Sequence, residues 1–153
     1  MKGDYTQFPP AKVSRRLKDG DEIKLGGSVL VARKTAGHTP GCTTWTMQVD
    51  DNGKKLHAVI IGSPNVNPGY ILVGNKTYPE IATDYERTFA LLKALPVDLF
   101  LGAHGGYYGM EAKHKLIVGR TSNPFVDPAG YHAYVDDREK AFRAEWEKQK
   151  ARP

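Results

Sequence analysis

His38 and His104 stand in matching surroundings. His38 lies in Thr35-Ala36-Gly37-His38-Thr39-Pro40-Gly41, directly after an apolar run, and His104 lies in Leu101-Gly102-Ala103-His104-Gly105-Gly106, directly after another. Neutral imidazole is the commonest metal ligand, and flanking glycines permit the close backbone turns that ligand geometry requires. A third run, Ile60-Ile61-Gly62, ends in Ser63 and opens the loop Pro64 to Tyr70. A loop histidine by itself is ordinarily a surface residue. Three polar residues at three comparable run ends instead suggest one shared rim, with metal binding as its chemistry.

The other candidates read as structure. His57 begins an apolar run, His114 sits among lysines, and His132 follows Tyr131. Ser63 lacks the strained strand-to-helix turn of a nucleophilic serine. Cys42 follows Gly41 and reads as a small buried residue rather than a nucleophile. Trp45 and Trp146 fit core stripes.

The elements that would carry the rim are strands first and helices after. Ile23 to Leu25 and Ser28 to Arg33 read as strands around a Gly26-Gly27 turn. Thr43 to Val49 alternates, with Trp45, Met47 and Val49 on one face. Asp51-Asn52-Gly53 is a hairpin signal, and His57 to Ile61 forms the return strand. Thr77 and Glu80 predict a capping box with Pro79 in the first turn, followed by a helix through Ile81, Tyr85, Phe89 and Leu92 that stops at Pro96. Val97 to Leu101 reads as a short strand and Met110 to Val118 as a second helix. Asp127 caps a third from Pro128, with Tyr131, Val135, Phe142 and Trp146 along one stripe. This is mixed α/β in one unit.

Length and composition agree. The 153 residues, 40% hydrophobic and 25% charged, suit one globular domain. No apolar run approaches the ~18 residues of a membrane helix, so no membrane partner is expected. Met1 to Tyr5 has no apolar stretch behind it, so no secretory signal is expected. One cysteine excludes an internal disulfide. The net charge of +5 is scattered, and Lys140 to Arg152 interleaves Glu145 and Glu147 as a solvated helix face does. No nucleic-acid partner is expected.

At these loops the chain resembles the metallo-β-lactamase superfamily, most closely subclass B3. The carrying motifs are TAGHTPGCTTW (Thr35 to Trp45), IIGSPNVNPGY (Ile60 to Tyr70), FLGAHGGYY (Phe100 to Tyr108) and NPFVDPAGY (Asn123 to Tyr131). With the upstream stretch from Phe8, the likeness runs to about Trp146. The resemblance implies α/β (α+β) architecture: one half of an αββα sandwich, a mostly antiparallel or mixed sheet with helices outside. It implies a zinc hydrolase of β-lactam amides, periplasmic or secreted. It assigns His38 to the first zinc site, His104 to the second, and Ser63 to holding the substrate carboxylate. Asn65 and Asn67 lie on the same loop without an assigned role. In that family a hydroxide held by two Zn2+ ions attacks the carbonyl, one zinc polarising it and the other receiving the departing nitrogen.

Two departures matter. No His-x-His-x-Asp-His stretch occurs here, and His38 is the first histidine in the chain. Each zinc site would keep one ligand, where catalytic zinc takes about three. The disulfide that the resemblance leads one to expect is also missing, with Val97 and Tyr131 at its two positions. Residues 1–153 are therefore expected to correspond to the C-terminal half of the domain, with the N-terminal half absent, and to be inactive alone. The sheet should leave one apolar face bare. It would be filled by the missing half or by self-association, and the alternative to a hydrolase half is a non-catalytic module that uses this face.

Overall fold

The computed structural model describes residues 12–118 and 122–152. The expectations for Met1 to Tyr5, and for the Phe8 to Ala11 part of the family likeness, lie outside the described residues. Strands β1 (Glu22–Leu25), β2 (Ser28–Lys34), β3 (Thr43–Asp51) and β4 (Lys54–Ile61) pair in sequence as an antiparallel meander. Both tight turns match their sequence signals. Gly26 and Gly27 take positive φ, as do Asn52 and Gly53, which is the backbone a two-residue hairpin turn requires. Helix α1 (Ile81–Ala94) then crosses over, and β5 (Leu99–Gly102) joins β4 in parallel to close a mixed sheet ordered β1-β2-β3-β4-β5. A 3-10 turn (Gly105–Tyr107), α2 (Met110–Lys115) and α3 (Pro128–Lys150) follow. The α+β half-sandwich expectation holds.

Because β2 and β4 are each antiparallel to β3, and β5 is parallel to β4, three strands share one direction. Their C-terminal ends lie along one edge of the sheet. His38 follows β2, Ser63 follows β4 and His104 follows β5.

The core lies between the sheet and two helices. Val59, Ile61 and Phe100 meet Tyr85, Phe89 and Leu92 of α1 and Tyr131, Val135 and Phe142 of α3. The rings of Tyr85 and Phe142 stack at 5.0 Å, and Tyr131 meets Phe100 edge-on at 5.3 Å. Each such buried side chain contributes ~1.5–3 kcal/mol relative to exposure. Asp127 caps α3 as read, accepting from the Gly130 N–H at 2.8 Å, with Pro128 in the first turn. Along the solvated side of α3, Arg143 pairs with Glu139 and Lys148 with Glu145.

Three expectations are corrected. Helix α1 begins at Ile81 with no side-chain cap. Asn75 Oδ1 takes the Thr77 N–H, the Thr77 hydroxyl and the Tyr78 N–H, so Thr77 is engaged in an Asx turn and Pro79 lies ahead of the helix. Helix α2 stops at Lys115 rather than Val118. None of its residues is buried, and a short helix without a packed face does not propagate. Trp45 is not in the helix-covered core. Its partners across the sheet are Ala32 and Ile60, while Thr46 opposes the core residue Val59. The alternation of β3 was read correctly, but its threonine face turns toward the helices.

That inversion puts a second apolar cluster on the side of the sheet away from the helices. Leu56, Ala58 and Leu99 are buried there beneath the partly buried Met47, Val49 and Phe125, and among the described residues no helix residue joins them. Leu25, on the same side, is 81% exposed.

Candidate metal and anion site

Sharp backbone turns set the rim. Thr35 N–H bonds Cys42 C=O at 2.9 Å and closes the loop between β2 and β3. Within it Gly37 has φ +136°, and a Cβ there would lie 2.8 Å from the Tyr85 ring. Glycine lets that ring slide under the loop. The Tyr85 hydroxyl then donates to the Asn65 carbonyl at 2.6 Å. Burial pushes its pKa up, so it stays a protonated donor.

The same carbonyl engages His38, whose Nδ1 lies 2.9 Å from Asn65 O. A carbonyl only accepts, so Nδ1 carries a proton, and in the neutral ring the lone pair is then on Nε2. A ring held by its other N–H on a backbone carbonyl is the arrangement expected of a metal-binding histidine. Tyr70 supports it from the side, with ring centroids 5.6 Å apart and a hydroxyl donating to His38 O at 3.0 Å.

The loop bearing Tyr70 is pinned from a distance. Gln149 of α3 accepts the Leu72 N–H at 2.7 Å through Oε1 and donates to Tyr70 O at 2.8 Å through Nε2. Its amide completes the backbone pairing as a strand would.

His104 is exposed and meets the Tyr107 ring edge-on at 5.0 Å. The Tyr107 hydroxyl accepts from Asn65 Nδ2 at 3.0 Å and donates to Ser63 Oγ at 3.2 Å. Ser63 N–H meets Cys42 Sγ at 3.3 Å, so the half-buried thiol is occupied in bracing the serine. The three rim residues thus converge through Asn65 and Tyr107. His57, His114 and His132 do not join them. His57 is tied to Asp98, which accepts its backbone N–H at 2.8 Å, and its Nδ1 lies 3.3 Å from the same oxygen. His114 sits on α2, and His132 packs on Tyr131.

Sequence reading missed Tyr70, Tyr85, Tyr107 and Gln149. Tyr70 and Tyr107 stand inside quoted motifs, which was the available signal. Tyr85 read as core only, and Gln149 carried no signal.

No protein-family model matches the chain. Solved structures do. Native FEZ-1 metallo-β-lactamase from Legionella gormanii aligns with TM-score 0.93 and 44% identity, over 97% of this chain and 58% of its own. BJP-1, a subclass B3 metallo-β-lactamase of Bradyrhizobium japonicum, aligns at 0.86 and 39%, over 94% and 54%. The chain belongs with the subclass B3 metallo-β-lactamases. LRA-12, a class B3 di-zinc enzyme from an Alaskan soil metagenome, aligns at 0.82 and 29%, over 90% and 52%. The chain spans little more than half the length of the B3 structures it matches.

Proposed function

We propose that this chain supplies the second half of a zinc hydrolase that opens β-lactam amides. His38 and His104 each give one zinc ligand, and Ser63 holds the substrate carboxylate. The observation that carries the reading is the His38 ring, fixed through Nδ1 on Asn65 O with Nε2 left to bind.

The donor set of the chain by itself does not fit a complete centre. Among the described residues no three His, Cys, Asp or Glu side chains converge, and zinc takes about three protein ligands plus a water. No reaction step is assigned to the chain alone. The remaining ligands come from a complementary half, and the exposed apolar side chains of Ile23 and Leu25, on the side of the sheet away from the helices, suit it. As in the family, the working compartment would be the periplasm.

Cobalt(II) titration followed by visible absorption tests the reading. The chain mixed with the part of FEZ-1 that it does not match gives the intense bands of a low-coordinate site, and His38→Ala removes them. A mixture that takes up no cobalt defeats it.

A further inference from the structure

The hydrogen bonds behind Ser63 run in one direction. Arg138, on α3, has donors only. Its Nε and Nη2 face Asp137, and its Nη1 lies 3.5 Å from Asn65 Oδ1. The Tyr134 hydroxyl lies 3.5 Å from the same oxygen, and burial, its largest influence, pushes its pKa up and keeps it a donor. Two donors on Oδ1 fix the Asn65 amide, so Nδ2 points the other way and donates to Tyr107. Tyr107 then has one proton, and Ser63 Oγ receives it. Ser63 must use its own O–H elsewhere, and among the described residues none accepts it.

We propose that Arg138 and Tyr107 are positioning residues that keep the Ser63 O–H turned away from Tyr107 and free to donate to a ligand, so that the site favours a carboxylate, the stronger acceptor, over a neutral amide. This rests on the reading that Ser63 faces the substrate. The line begins at a guanidinium, and each bond polarises the next by an amount on the order of 10–30%. Stacking holds it in shape: Tyr107 and Tyr134 lie 5.1 Å apart, and the guanidinium sits 5.8 Å from the Tyr134 ring. Three separate elements therefore fix the polarity of one hydroxyl.

Benzoate and benzamide, which differ chiefly in charge, are the probes. NMR titration of the full chain follows the Ser63 amide. Benzoate binds roughly tenfold more tightly than benzamide, the margin between charged and neutral hydrogen bonds. Arg138→Met and Tyr107→Phe each cut that preference by about fivefold, while amides distant from the site keep their positions. Arg138→Lys restores part of it, which a merely structural role would not require. Tyr107→Phe keeps the ring and both of its stacking contacts, so it tests the line even if Arg138→Met folds poorly. Equal affinity for the two probes, no shift of Ser63, or a preference unchanged in both variants overturns the proposal. Metal uptake is read separately. Selectivity without cobalt uptake in the mixed halves would keep the donor line and remove the zinc hydrolase reading, and cobalt uptake without selectivity would do the reverse.

Discussion

Tyr85 and His38 converge on a single backbone oxygen, that of Asn65, from two elements 47 residues apart in sequence. One donor comes from the packed face of α1 and the other from the rim. The core thereby fixes the tautomer and tilt of a candidate ligand. Tyr85→Phe removes one donor without opening a cavity. It should cost about 1 kcal/mol in urea unfolding, and the His38 ring N–H should exchange with water faster. Unchanged exchange would separate the two residues.

Gly37 makes that convergence possible. Gly37→Ala places a Cβ 2.8 Å from the Tyr85 ring at a φ of +136°. The overpacking should cost at least ~2 kcal/mol, read as a lower urea midpoint with unchanged slope. Gly41→Ala, with nothing within 4 Å of its Cβ, is the neutral control.

Gln149 joins the end of α3 to the loop carrying Tyr70. Gln149→Met keeps the length and removes both polar bonds to the Tyr70–Leu72 backbone. The expected loss is ~1–2 kcal/mol, with faster hydrogen exchange at Leu72. Gln149→Glu should recover protection at Leu72, because a carboxylate still accepts that N–H, but not the bond to Tyr70 O.

Asp127 gives a pH-dependent test. Lys113, first, and the Gly130 N–H hold its carboxyl below the ordinary carboxylate range, against an opposing push from burial. A lowered folded pKa contributes stability above the unfolded pKa, and that stability is lost as pH falls through the folded one. Asp127→Ala should cost about 1 kcal/mol at neutral pH as a lost cap. The advantage of the native chain over Asp127→Asn should shrink as pH falls below about 4. A gap independent of pH would mean that the Lys113 pairing contributes nothing.

The legible parts of this chain were those governed by local rules. The turns at Gly26-Gly27 and Asn52-Gly53, the cap at Asp127 and the loop ends at His38, Ser63 and His104 depend on a few adjacent residues. The start of α1 is not legible from Thr77 and Glu80, because Asn75, two residues upstream, captures the Thr77 hydroxyl. The inward face of β3 is not legible either, because alternation says which residues share a face but not which face the helices cover. The support of the site was mostly invisible. Gln149 reaches 79 positions back to Tyr70, and Arg138 reaches 73 back to Asn65. Such contacts exist only once α3 has docked.

On the proposed function, this chain carries one ligand for each of two metals and needs a complement to act. Hydrolysis of a chromogenic cephalosporin in excess zinc tests it most directly, comparing the chain alone with the chain plus the part of FEZ-1 it does not match. The chain alone should give no turnover, and the mixture should give turnover that a chelator, His38→Ala or His104→Ala abolishes. Turnover by the chain alone that depends on both histidines would contradict it.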